Sequence, residues 1–321
     1  MDTKSGASGA LELAGRPGAE RRATASDGTV RRWSYAALAG PALVIYAVVV
    51  VLPVLVSVGV AFFNWDGFGA ATFVGFQNYA KLFTDPAFWW DVRNNLLVVL
   101  ISLLGQIPLG FVLAYIIFRR IVRNGAFFET MIFLPITISS IIVAILWNRM
   151  FSPTGVLVEV MRGLTHDPRW VFSVQEDKAW AMAPVLFVIL WQFTGLYLVI
   201  FLANMQKINR STIEAALLDG ASEWQVLRLV VAPNLWGVVF TCSVLAISGS
   251  LKSFDLIWAM TAGGPARYTE VLGIYLYQST FHYAVNPYGM GGAASVVIIL
   301  ISVFLIKLVE FLFRTFTRKL D

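Results

Sequence analysis

Six stretches of this chain run for membrane-spanning length with few or no charged side chains, and this fixes its solvent before any motif is considered. A helix needs roughly 20 predominantly apolar residues to cross the hydrocarbon core of a bilayer. The runs lie at about Ala36–Phe63, Asn95–Phe118, Thr130–Trp147 and Trp180–Ala203, then from Leu235 into the Lys252–Trp258 region, and at about Tyr288–Phe311. With 58% hydrophobic and 13% charged residues in 321, the chain is too apolar for a soluble domain of this size. The expected fold is an all-α polytopic membrane protein of about six transmembrane helices.

Cationic side chains are retained on the cytoplasmic side of membrane proteins, so the short loops set the orientation. Arg21, Arg22, Arg31 and Arg32 in the N-terminal tail, Arg119, Arg120 and Arg123 after the second run, and Arg314, Arg318 and Lys319 at the C-terminus all fall on one side. In the alternate loops the cations are mixed with Asp66, Asp85, Asp91, Asp167, Glu176 and Asp177. Both termini are therefore expected in the cytoplasm. The pI near 9.4 is a topology signal that points to lipid headgroups and not to nucleic acid.

Residues 1–32 are rich in Gly, Ala, Ser and Arg and read as a disordered cytoplasmic tail, with a transmembrane domain over 33–321. The run after Arg32 is much longer than the roughly 7 to 15 apolar residues of a cleaved signal, so it reads as an uncleaved first span. Cys242 is the single cysteine, and His166 and His282 are isolated, so no disulfide within the chain and no metal site is expected. No paired carboxylates or nucleophile–base arrangement stands out in the spans, so no catalytic residue is expected.

Between the fourth and fifth runs, residues 204–233 form a polar loop. Ser211 with Glu214, and Ser222 with Gln225, fit two capping boxes and predict two short helices. Gly220 falls between them, where a residue able to adopt positive φ ends the first helix. Ile213, Leu217, Ala221, Trp224, Leu227 and Val231 recur at helical spacing, which predicts one apolar face.

This loop closely resembles the cytoplasmic Glu-Ala-Ala loop of the membrane subunits of binding-protein-dependent ABC importers. Glu214, Ala215, Ala216, Leu217, Asp219 and Gly220 match that motif, and Pro233 matches its end, with Ala232 where leucine is usual. The resemblance implies a coupling helix that fits a cleft on a separate ATP-hydrolysing subunit. Gly75–Tyr79, Asp85-Pro86-Ala87-Phe88 and Asn94-Asn95 resemble the sugar-importer branch of this family. So do Phe254–Trp258, Gly263-Gly264-Pro265 and Tyr275-Leu276-Tyr277.

The implied protein is the membrane-spanning subunit of an ATP-driven importer for a sugar or related polyol, in a bacterial or archaeal cell membrane. Its implied partners are a second permease subunit, in this family a different chain, nucleotide-binding ATPase subunits and an extracytoplasmic solute-binding protein. The sequence has no G-x-x-x-x-G-K-[ST] phosphate loop, so ATP and Mg are expected on the partner ATPase and no cofactor in this chain.

Sugar recognition needs hydrogen-bonding side chains for hydroxyls and aromatic rings for the apolar faces of the ring. Trp191, Gln192, Thr194 and Tyr197 in the fourth run, and Ser250, Lys252, Ser253, Phe254 and Asp255 at the end of the fifth, supply both. The resemblance implies that these two regions line the path. Lys252 and Asp255, at i and i+3 on one helix, are equally suited to a structural ion pair. That pair, with helices broken at Pro53, Pro108, Pro135 and Pro184, motivates the alternative of a self-sufficient secondary transporter driven by an ion gradient. Against it, the two halves show no internal repeat. Gly289, Gly291, Gly292, Ala293, Ala294 and Ser295 make one end of the sixth run thin enough for close packing on another helix, which a partner subunit would supply in this family.

Overall fold

The structure is a computed structural model that describes residues 37–67, 69–169, 178, 180–281 and 288–317. The N-terminal tail over 1–32, Glu176, Asp177, His282, Arg318 and Lys319 lie outside the described residues. The chain divides into two compact units, 1–56 and 57–321.

The first unit is described from Ala37, in helix α1 (Ala37–Val60), which continues into the second unit. Its Val- and Leu-rich surface is exposed at nearly every position, as expected for a helix solvated by lipid. A five-residue π-turn over Ala47–Val51 precedes Pro53, a residue that removes one backbone donor.

In the second unit a two-residue antiparallel ribbon, β1 (Phe63–Asn64) with β2 (Thr72–Phe73), leads into helix α2 (Gln77–Thr84). Asn78 is buried and donates through Nδ2 to Ala61 O and Phe63 O. It thereby ties α2 to the end of α1 within this unit. Helix α3 (Pro86–Phe118) follows at once. It begins at Pro86 and not at Asn95, because Asp85 caps it through Ala87 N and Pro86 sits at the first helical position. The polar residues Asp91, Asn94 and Asn95 do not end the apolar helix; they are buried inside it. Asp91 faces the Arg267 guanidinium at 3.8 Å.

The expected third span is not one helix. Helix α4 (Gly125–Thr137) stops after Pro135, Ile138 and Ser139 take extended backbone angles, and α5 (Ser140–Phe151) resumes. In the opened turn Gln192 Nε2 donates to Ile138 O and Ser140 Oγ at 3.3 and 3.2 Å. Helix α6 (Val156–Thr165) continues from α5 and together they have membrane-spanning length and hydropathy.

Helix α7 (Met182–Met205) packs along α3 and α4 at the centre of the second unit. Helices α8 (Arg210–Leu218) and α9 (Glu223–Asn234) form the polar loop. Helix α10 (Trp236–Leu251) is bent 69° from α9. Helix α11 (Asp255–Thr261) is separate from α10, so the fifth run does not continue to Trp258. Helices α12 (Leu272–Phe281) and α13 (Tyr288–Thr317) complete the chain.

The thin end of α13 packs on this chain's own backbone and side chains. A Cβ on Gly289 would strike Phe63 O, one on Gly291 would strike Thr280 Oγ1, and one on Gly292 would come within 2.7 Å of Ser57 O. The small residues are thus spent inside the second unit and do not wait for a partner helix. The described residues include five helices long and apolar enough to span a membrane, or six if α9 and α10 are one broken span.

Candidate functional site

Two regions of the second unit carry the residues singled out in the sequence: a central cavity and the polar loop.

The cavity has a volume of about 310 Å3. Helix α3 contributes Val98, Ser102 and Gln106; α4 and α5 contribute Ile136 and Ser140; α7 contributes Ile189, Phe193, Leu196 and Tyr197. The end of α10 and the start of α11 contribute Gly249, Ser250, Lys252, Ser253, Phe254 and Asp255. Ser102 and Gln106 bracket a π-turn. Ser250 Oγ lies 3.1 Å from Ser102 Oγ, and Gln106 Nε2 donates to Ile189 O at 2.7 Å.

Of the predicted path residues, Tyr197, Ser250, Lys252, Ser253, Phe254 and Asp255 line this cavity. Trp191, Gln192 and Thr194 do not. The cavity face of α7 is Ile189, Phe193, Leu196 and Tyr197, spaced i, i+4, i+7 and i+8, and the other three fall off that stripe. Trp191 packs edge-on against Trp147, Gln192 holds the α4–α5 break, and Thr194 Oγ1 donates back to Leu190 O. Ser102, Gln106 and Ser140 were missed. The first two left a signal, as polar residues four apart inside an apolar run.

Lys252 and Asp255 are not on one helix. Lys252 caps the end of α10 and Asp255 opens α11, and no ion pair joins them. Both residues line the cavity instead. Phe254 stacks on Trp258 with ring centroids 5.6 Å apart, which sets an aromatic surface at the cavity edge.

In the polar loop, Asn209 caps α8, its side chain accepting from Ser211 N at 3.1 Å. The box expected from Ser211 and Glu214 therefore does not form, because the helix starts one residue before Ser211. The second box is present: Ser222 Oγ accepts from Gln225 N and Gln225 Oε1 from Ser222 N. Gly220 joins the two helices at φ +86°.

The predicted apolar stripe is only partly buried. Ile213 and Val231 are buried, but Trp224 is 66% exposed and Leu217 lies at the surface. Leu217 lies before the Gly220 break, and after it a π-turn over Val226–Val231 shifts the helical phase, so that Val226 and Val231 are buried at a spacing of five. These side chains pack with Tyr115, Leu202 and Met205. Glu214, Ala215, Leu218 and Asp219 form an outward surface, with Leu218 89% exposed. Pro233 is exposed in the last turn of α9.

A clamp that spacing did not reveal fixes the loop to α3. Arg119 donates to Glu223 from Nη2 at 2.7 Å and from Nε at 3.0 Å, and Tyr115 OH donates to Glu223 Oε2 at 2.8 Å. Those two donors hold the Glu223 carboxyl below the usual carboxylate range. Bidentate geometry gives orientation as well as attraction.

Several membrane-length helices, a mainly apolar cavity between them with a few polar residues on its wall, and a capped helical loop are the parts of a transport permease. Residues 106–321 match the family described as binding-protein-dependent transport system inner membrane component, and the chain belongs to that family. It is 34% identical over 267 residues to a probable ABC transporter permease protein of Pyrococcus horikoshii, covering 82% of this chain and 89% of the other. It is 30% identical over 276 residues to the lactose transport system permease protein LacF of Rhizobium radiobacter, covering 84% and 90%. The fold matches a chain of a bacterial alginate ABC transporter, solved in complex with an alginate pentasaccharide-bound periplasmic protein. That match has a TM-score of 0.77 and 22% identity, covering 91% of this chain and 98% of the other. The resemblance drawn from the Glu214 motif is thereby borne out, and these matches give no support to an ion-gradient transporter.

Proposed function

We propose that this chain forms the translocation path for a sugar or related polyol in an ATP-driven importer and carries no catalytic residue of its own. The observation that carries the substrate reading is the cavity. Ser102, Gln106, Ser140, Tyr197, Ser250 and Ser253 line it from separate elements, among apolar side chains such as Ile136, Phe193 and Leu256. Serine, tyrosine and glutamine residues, with the charged Lys252 and Asp255, beside the Phe254 ring suit a polyhydroxylated ring with one apolar face. Relatives named for lactose and for multiple sugar-binding transport agree with that chemistry.

The loop over 204–233 is the coupling element, with Glu214, Ala215, Ala216, Leu217, Asp219, Gly220 and Pro233 on or beside its docking face. Its partner is a nucleotide-binding subunit that holds ATP and Mg. A second permease subunit completes the path, and an extracytoplasmic solute-binding protein delivers the cargo. Both termini and the loop face the cytoplasm, since Arg119, Arg120, Arg123 and Arg314 cluster on the loop's side of the sequence topology.

The test is uptake into proteoliposomes holding the complete complex, with radiolabelled lactose, maltose, glycerol and an amino acid as probes. ATP-dependent uptake of a saccharide or polyol that requires the solute-binding protein is the expected result. Uptake of only the amino acid removes the substrate reading.

A further inference from the structure

Asn95 lies one turn into α3 from Asp91 and is 1% exposed. Its Nδ2 donates to Ser250 O at 2.9 Å, and its Oδ1 accepts from Leu272 N at 2.8 Å. Ser250 is in the last turn of α10 and Leu272 is the first residue of α12. Between them the chain makes one excursion that includes α11 and the Gly263-Gly264-Pro265 turn. A single buried amide thus holds both ends of that excursion. Asn94, fully buried beside it, donates to Tyr268 O at 2.9 Å and Glu270 O at 2.8 Å, and so grips the same segment farther along.

The tied carbonyl has a second role. Ser250 O also accepts from Ser253 Oγ at 2.7 Å, so the rotamer of a cavity-lining hydroxyl is set by the carbonyl that Asn95 orients. Lys252, Ser253, Phe254 and Asp255 follow directly on the anchored residue and form one side of the cavity. A primary amide is the side chain that offers a donor and an acceptor at one end. An apolar residue of similar size offers neither, and leaves Ser250 O and Leu272 N without this buried partner.

We propose that Asn95 is a positioning residue for cargo: it holds the 250–272 excursion in register and thereby sets the cavity wall formed by Lys252, Ser253, Phe254 and Asp255. The proposal rests on the reading of this cavity as the translocation path. It concerns a residue that touches the wall's backbone and not the cargo.

The test has two arms, both on the complete complex in membranes. In the first, Cys242→Ala removes this chain's single cysteine, and Ser253→Cys or Ser211→Cys adds one reporter thiol for a water-soluble methanethiosulfonate reagent, with labelling read on this chain alone. Adding Asn95→Leu is expected to change the modification rate at position 253 at least fivefold and leave that at 211, in the distant loop, within twofold. In the second, without reporters, Asn95→Leu is expected to raise the KM for ATP-driven uptake of the saccharide carried by the wild type at least fivefold, with the maximal rate per complex within twofold. Should the leucine chain fail to accumulate, Asn95→Gln, which displaces the amide by one methylene, is read by the same two measures. Rates and KM within twofold of the parent overturn the proposal, as does reduced abundance with both values unchanged in the complexes that remain. If the wild type carries no saccharide, the substrate reading fails, and the thiol arm still decides whether Asn95 sets the wall.

Discussion

Gly220 stands at φ +86° in open space, where an added Cβ would meet nothing within 4 Å. Substitution there is opposed by the backbone alone. Left-handed conformation costs an L-residue roughly 1–2 kcal/mol, and asparagine tolerates it better than β-branched residues do. Gly220→Val is therefore expected to leave membrane abundance intact and lower ATP-driven uptake at least tenfold, while Gly220→Asn keeps more than half. Immunoblots of membranes beside uptake rates check both. This glycine was legible in the sequence because the constraint is local, lying between two capped helices. The cavity face of α7 was legible only in part for the opposite reason. That helix is apolar nearly all round, so nothing in its own sequence gives the phase that separates Tyr197 from Thr194.

At the scale of elements, the sequence marks where apolar helices exist better than where they break. Asp85-Pro86 holds the cap chemistry that starts α3, a local signal that the apolar run from Asn95 passes over, whereas the interruption between α4 and α5 depends on a residue in another helix. Gln192 is buried, and its Nε2 serves Ile138 O and Ser140 Oγ. Leaving a buried carbonyl unpaired costs about 1–3 kcal/mol. Gln192→Leu is thus expected to lower the thermal midpoint of the detergent-solubilised complex by several degrees. Trp191→Ala, off the cavity face of α7, is expected to leave the KM for cargo within twofold. A KM raised tenfold by Trp191→Ala would return that residue to the path. The π-turns at Ser102–Gln106 and Val226–Val231 were equally hidden. One extra residue per turn changes which side chains share a face without altering composition, as the exposed Trp224 and buried Val226 illustrate.

At the scale of the whole molecule, the loop proposed to receive the ATPase lies between two sets of cavity residues, Tyr197 before it and Leu245, Ala246, Gly249 and Ser250 after it. Its two sides differ. Arg119 and Tyr115 clamp Glu223 to the end of α3, Ile213, Val226 and Val231 anchor its inner face, and Glu214, Ala215, Leu218 and Asp219 remain outside. An element anchored on one side and exposed on the other transmits a push without being rebuilt. Glu214→Lys reverses a charge on the exposed side, in a pocket shared with Arg119, Arg120 and Arg210, and leaves the Arg119–Glu223 pair's own residues unchanged. In proteoliposomes it is expected to leave assembly of the spans intact, to lower uptake at least tenfold, and to abolish stimulation of ATP hydrolysis by the loaded solute-binding protein. Wild-type uptake by Glu214→Lys would remove the coupling role from this face. Uptake by the isolated chain under an ion gradient, without ATP, would mean that the loop's outward surface serves some contact other than the power stroke.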